Sequence, residues 1–198
     1  MKYYCLHHTP LTARKEYLTK QFSLLNLDVE WVTGFLPEHI SMPENHRFVN
    51  LQEYSLYLKH LHCFEDQVKN NIDLITVFED DVIIPDNYNN LKLLFLKEFK
   101  EIDGDIMYEG SVGDYGKVRY PIEGKHVYYE SYYLGRHAHC YTVTLEATKK
   151  FLSFYSTNFL TPDWNLNECI TNFKLRSCWT VPHLDQGSCI GSYNSTIR

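Results

Sequence analysis

The chain has 198 residues and a formal charge of −6 with histidines neutral, from 19 basic and 25 acidic side chains. This length fits one domain with a full-sized core, and an acidic chain without a basic run argues against nucleic acid as the main partner. No apolar stretch approaches the roughly 20 residues that span a bilayer, and the first residues lack the apolar segment of a signal peptide, so we expect a cytoplasmic protein without a transmembrane segment, with peripheral attachment to a membrane left open.

Hydrophobic periodicity predicts strands and helices that alternate along the first half of the chain. Strands are predicted at 2–6, 29–32, 73–78 and 105–108, and helices at 9–26, 51–68 and 87–100. In the second half we expect antiparallel strands at 127–134 and 138–143, helices at 145–155 and 164–173, and a last strand at 177–181. This order is typical of a single α/β domain, in which helices flank a mostly parallel central sheet.

The most informative segment is the acidic triplet Glu79-Asp80-Asp81, which directly follows the apolar run at 74–78. Such a run reads as a strand buried on both faces, and its carboxyl end lies at the sheet edge where α/β folds place ligands. In extended backbone, Glu79 and Asp81 point to one side and Asp80 to the other. Mg²⁺ or Mn²⁺ binds one or two such carboxylates and keeps positions for substrate phosphates. The triplet therefore favours a divalent-metal site, against the alternative of a solvated acidic turn.

A series of short motifs runs from about Lys2 to Ser192. The strongest is Leu74-Ile75-Thr76-Val77-Phe78-Glu79-Asp80-Asp81-Val82, and the others lie at 57–64, 104–110, 140–144, 147–152, 161–164 and 182–188. In this order they resemble glycosyltransferase family 25, which holds lipooligosaccharide galactosyltransferases and collagen-modifying galactosyltransferases. Two positions depart from the family pattern: Lys59 stands where a serine is expected before His60, and Glu109 replaces an apolar residue.

The resemblance implies a single-domain GT-A-like fold over residues 1–198, with a donor-binding half at 1–110 and an acceptor-side half at 111–198. It implies an inverting transfer of a hexose, first of all galactose or glucose, from a UDP-sugar to a saccharide or glycoconjugate acceptor, as in lipopolysaccharide biosynthesis. It further implies that Mn²⁺, or Mg²⁺ in its place, bridges the donor diphosphate and the carboxylates.

Metal ligands are expected first among the residues at the end of the central strand. Asp81 is the leading ligand, Glu79 and Asp80 assist directly or through water, and His183 is an additional candidate, with an ordinary loop histidine as its alternative. Donor contacts are assigned to Arg14, His60, Asp80, Gln186 and Ser188. For Arg14 the alternative is a solvated helix face.

Inverting transfer also needs a base that takes the proton of the acceptor hydroxyl. Asp163 is the first candidate, because it follows Pro162 at a predicted helix start in a segment similar to the family's acceptor side. Its alternative role is an ordinary helix N-cap. Asp185 and Glu109 are held in reserve. Histidine pairs such as His7-His8 lack further ligands at zinc-site spacing and are interpreted as ordinary sheet or helix residues.

Two other functions are compatible with the same residues. A Mg²⁺-dependent phosphotransferase or phosphatase also places acids after a strand, but such enzymes usually continue with a tight Gly/Thr turn, whereas Val82-Ile83-Ile84-Pro85 follows here. A non-catalytic relative that binds sugar or a protein partner is favoured by the departure at Lys59 and disfavoured by the intact acidic triplet.

Overall fold

A computed structural model describes residues 1–111, 122–129 and 138–187. The strands in these residues are β1 (Lys2–Leu6), β2 (Val29–Val32), β3 (Leu74–Glu79), β4 (Val82–Ile83), β5 (Ile106–Gly110), β6 (Val127–Tyr129), β7 (Cys140–Thr144) and β8 (Ser177–Gln186). The helices are α1 (Thr12–Leu24), α2 (Leu51–Lys69), α3 (Tyr88–Glu101), α4 (Leu145–Tyr155) and α5 (Pro162–Phe173), with a short 3₁₀ turn at Pro37–His39.

The described strands form one mixed sheet in the order β2-β1-β3-β7-β5-β8-β4, and β6 also pairs with β8. β1 lies parallel to β2 and β3, and β5 lies parallel to β8. β7 runs antiparallel between β3 and β5, while β4 and β6 run antiparallel to β8. The predicted α/β class is confirmed. β6 and β7, which lie in the segments expected to form antiparallel strands, run antiparallel to the strands they pair with, and the sheet is mixed.

Two element boundaries differ from the prediction in ways that affect the site. α1 begins at Thr12 rather than at position 9, because Thr9 and Pro10 lie in a turn that the Leu11 N–H closes by bonding to the His8 carbonyl (2.9 Å). β8 continues to Gln186 rather than ending at 181, because its last residues pair with β4. The predicted strand at 127–134 is described only as far as Tyr129.

Helices cover both faces of the sheet and bury its central strand. α2, α4 and α5 pack with β3, β5 and β7 in the largest apolar cluster, which contains Phe64, Val77 and Tyr141. On the opposite face, α1 contributes Leu18 and Phe22 to a cluster that includes Phe78. No helix in the described parts of the chain combines the length and apolarity needed to cross a lipid bilayer.

Glu109, a reserve candidate for the catalytic base, is a core residue. It is fully buried, and the Lys92 ammonium donates to its Oε1 (2.5 Å) while the Tyr88 hydroxyl donates to its Oε2 (2.8 Å). The Thr142 hydroxyl also bonds to Glu109, and Lys92 reaches Thr76 at 2.8 Å. Because these core groups occupy both carboxylate oxygens, Glu109 is unsuited to receive a proton from an acceptor, which corrects the expectation.

Gly110, at the end of β5, allows the buried His139 side chain to approach the sheet edge. A Cβ atom added at Gly110 would lie 2.2 Å from His139 Nε2. Since the His139 carbonyl accepts the Glu79 N–H (2.8 Å), a displaced His139 would also disturb the acidic triplet.

We therefore expect Gly110→Ala to lower the free energy of unfolding by about 1–3 kcal/mol, as overpacking does. Gly34→Ala is the matched control, because an added Cβ there meets nothing within 4 Å, and its effect should stay within about 0.5 kcal/mol. Urea denaturation measures both values. An unchanged midpoint for Gly110→Ala would contradict the proposed steric restraint.

Candidate active site at the end of the central strand

The acidic triplet lies beside the segment that follows β1. Because β1 and β3 run parallel, their carboxyl ends share one edge of the sheet, and Leu6 pairs with Glu79. An open cavity of about 630 Å³, including the space at its mouth, is lined there by residues of the triplet, the segment after β1, α1, α2 and the end of β8.

Asp80 is bound by groups of the first strand–helix unit. Its Oδ1 accepts the Arg14 guanidinium (2.8 Å), and its Oδ2 accepts His7 Nδ1 (2.8 Å) and the His8 backbone N–H (3.0 Å). Burial opposes ionisation of Asp80, but these donors prevail and lower the pKa of its carboxyl below the ordinary value. Asp80 and Arg14, both expected to contact the donor, line the cavity as a buried ion pair.

Glu79 contacts helix α2 through His60. The His60 Nε2 lies 3.4 Å from Glu79 Oε1, and its Nδ1 lies 2.7 Å from the Tyr141 hydroxyl. Burial, assisted by the positive charge of Lys59, lowers the pKa of His60 to about 3, so the imidazole is neutral. It can accept from Tyr141 and donate to Glu79. His60 does not line the cavity, so the structure places this predicted donor residue behind Glu79.

Burial and like charges act together on Glu79. Burial is the largest cause that raises the pKa of its carboxyl, and the Asp81, Asp163 and Asp80 carboxylates add to it. Asp81 is itself buried at the cavity wall, and its Oδ1 lies 3.4 Å from the Gln186 amide nitrogen. Gln186, a predicted donor residue, lies on β8 at the cavity.

Glu79 and Asp81 fit the requirements of a hard divalent cation. Asp80 is bound by Arg14 and His7, which leaves Glu79 and Asp81 as the other carboxylates of the triplet at the cavity. The charge of Asp81 adds to the burial that raises the pKa of Glu79. Within residues 1–111, 122–129 and 138–187, no three His, Cys, Asp or Glu side chains are grouped so that they could hold a metal ion by themselves. Two carboxylates suit Mg²⁺ or Mn²⁺ when substrate phosphates complete the shell.

Asp163 lies in the first turn of α5, one residue after Pro162, and Thr161 holds the N-cap position. The N-cap alternative for Asp163 is therefore wrong. Its Oδ1 accepts the Ala138 N–H (2.9 Å), and its negative charge contributes to the raised pKa of Glu79. Asp163 does not line the cavity, but its charge acts on Glu79.

The remaining predicted residues lie elsewhere. His183 and Asp185 line a second open cavity, about 560 Å³ with its mouth, which shares no lining residue with the first. Their charges act on the pKa of the buried His139, which burial lowers. Ser188 lies outside the described residues.

Sequence reasoning missed three residues at this site. His7 and His8 contact Asp80, and Lys59 lines the cavity with its ammonium 3.0 Å from the His7 carbonyl. The signal for the histidines was their position directly after a strand parallel to β3. For Lys59, the signal was its departure from the expected serine.

Comparisons with known proteins concern the family and the fold of the chain. The family described as glycosyltransferase family 25 (LPS biosynthesis protein) matches residues 9–164. Among solved structures, the chain is similar to a glycosyltransferase involved in the glycosylation of the major capsid of PBCV-1, with a TM-score of 0.51 and 11% identity over 90% of this chain and 80% of that chain. That likeness concerns the fold. No curated protein matches the sequence. Because the family match spans most of the chain and contains the acidic triplet, the chain belongs to glycosyltransferase family 25.

Proposed function

We propose that the chain is an inverting, GT-A-type glycosyltransferase that moves galactose or glucose from a UDP-sugar to a saccharide or glycoconjugate acceptor in lipopolysaccharide biosynthesis. The observation that carries this proposal is the pair Glu79 and Asp81 at one cavity, where burial and like charge raise the pKa of Glu79. A cytoplasmic location and the division into donor and acceptor halves stay predictions.

Glu79 and Asp81 are the proposed ligands of Mn²⁺ or Mg²⁺. A bound divalent ion supplies positive charge that offsets the charge on the leaving diphosphate. His60 orients Glu79 from behind, and Gln186 holds Asp81. Arg14 is fixed by Asp80 at the cavity wall, where its guanidinium suits a phosphate or the donor base.

Asp163 is the proposed base for the acceptor. As the acceptor oxygen bonds to the anomeric carbon and the bond to the diphosphate breaks, the hydroxyl proton passes to the Asp163 carboxylate. Asp185 is less well supported, because it lines the second cavity with His183.

The direct test is incubation with a panel of nucleotide sugars and Mn²⁺, followed by measurement of the released nucleoside diphosphate. Release from UDP-galactose or UDP-glucose supports the proposal. Phosphate release from simple phosphomonoesters would instead indicate a phosphatase. Nucleotide binding without turnover would indicate a non-catalytic relative.

Asp81→Asn should remove a metal ligand and preserve the fold, because an amide oxygen can still accept from Gln186. We expect Mn²⁺-dependent donor hydrolysis to fall by at least about 10- to 100-fold, the loss that even outer-shell partners of a metal produce. The melting temperature should shift by no more than about 2–4 °C. Asp86→Asn, at an exposed loop position, is the control and should match the wild type. A collapsed fold in Asp81→Asn would indicate a structural role.

Asp163→Asn should separate acceptor chemistry from donor binding. The amide oxygen can still accept from Ala138, so UDP affinity should stay unchanged, while transfer to an acceptor falls by about 100- to 10,000-fold with loss of the base. Isothermal titration and a transfer assay measure the two quantities. Asp185→Asn is the comparison variant. If it abolishes transfer and Asp163→Asn does not, the assignment of the base is wrong.

The raised pKa of Glu79 predicts that donor binding depends on pH. A cation binds the ionised carboxylate, so a proton competes with it until the pH rises above the raised pKa. We expect the affinity for UDP with Mn²⁺ to increase from mildly acidic to mildly alkaline pH. Glu79→Gln should lower this affinity and flatten its pH dependence, whereas Asp86→Asn should keep the wild-type slope. An equal slope in Glu79→Gln would assign the titration to another group.

A further inference from the structure

Lys59 carries a buried ammonium group at the wall of the first cavity. Its side chain projects from α2 and is 3% exposed, and its Nζ donates to the His7 carbonyl at 3.0 Å. Among the described residues, no carboxylate oxygen lies at ion-pair distance from this nitrogen, whereas the Arg14 guanidinium at the same cavity is paired with Asp80. Among the described residues, the hydrogen-bond partner of the buried Lys59 ammonium is thus a neutral carbonyl.

A buried cation without an adjacent counter-charge is unfavourable in the unliganded protein. Burial lowers the pKa of Lys59, and the charge of Asp80 offsets only part of this effect. An ammonium has three N–H donors, and within the described residues the His7 carbonyl is the group that accepts from Lys59. The ammonium of Lys59 is therefore suited to bind an anion that enters the cavity.

The cavity limits what that anion can be. Glu79 and Asp81 lie at the same wall and repel a simple anion, so the ligand must carry enough negative charge to attract both a cation at the carboxylates and an ammonium on α2. A diphosphate group meets this requirement. The serine expected at position 59 would offer a hydroxyl, whereas lysine adds a full positive charge.

We propose that Lys59 binds the diphosphate of the nucleotide donor and that the leaving group lies between this ammonium and the Glu79–Asp81 carboxylates. The proposal rests on the proposed function, since it assumes a nucleoside diphosphate in this cavity. It makes Lys59 a determinant of donor affinity in this chain, where the family pattern carries a neutral residue.

The test compares a nucleoside diphosphate with its nucleoside. Isothermal titration with Mn²⁺ first finds which of UDP, GDP, CDP and ADP the wild type binds best. Lys59→Met should then weaken binding of that diphosphate by about 10- to 100-fold, the range for a hydrogen bond to a charged group, and leave binding of the nucleoside unchanged. Lys97→Met, which removes a 73% exposed lysine charge on α3, is the matched control and should bind both as the wild type does.

A second variant separates the charge from the bond to His7. Lys59→Gln removes the charge and keeps an N–H donor for the His7 carbonyl, so it should show the same selective loss. Wild-type affinity in Lys59→Gln, or an equal loss for diphosphate and nucleoside in both variants, would overturn the proposal and assign Lys59 a structural role. If the wild type binds no nucleoside diphosphate, the proposed function itself fails, and the role of Lys59 fails with it.

Discussion

The buried contact between Asp80 and the segment after β1 fixes the position of the acidic triplet at the sheet edge. Arg14, His7 and the His8 backbone satisfy both oxygens of Asp80, so this carboxylate binds the first strand–helix unit to the central strand. Glu79 and Asp81, on either side of it, are thereby directed to α2 and to β8. Asp80 makes this contact, and Glu79 and Asp81 are the proposed metal ligands. The parallel pairing of β1 and β3 makes this division possible, because it brings the two carboxyl ends to one edge.

The unliganded site combines two unfavourable electrostatic features. Glu79 lies near other carboxylates, and Lys59 lies buried without an adjacent carboxylate among the described residues. Each destabilises the empty protein, and each is relieved by a ligand of opposite charge. Strain of this kind is common at functional sites, where affinity is gained at the expense of the stability of the free protein. A metal–diphosphate complex would place a cation beside Glu79 and an anion beside Lys59.

Local patterns predicted the central strand, the triplet and nearly all of the helices. The run at 74–78 and its acids are contiguous, so the local pattern located β3 and the sheet edge at which we propose that a ligand binds. The contacts of single side chains depended on long-range pairing that periodicity does not contain. Glu109 was a candidate base until the fold placed Lys92 against it. Gln186 lies at the cavity because β8 extends to pair with β4, and the sequence pattern marks Lys59 as a departure without indicating its role.

The core pair Lys92–Glu109 restricts how this sequence can change. The loss of one partner leaves an uncompensated buried charge, which typically destabilises a protein by about 3–5 kcal/mol, while replacement of both by apolar residues is often neutral. Glu109 stands where the family pattern has an apolar residue, and Lys92 on α3 forms an ion pair with it. An evolutionary path between the Lys92–Glu109 pair and an apolar pair must therefore pass through a destabilised protein or change both positions together. In lineages that carry this pair, substitutions at the two sites should be inherited jointly.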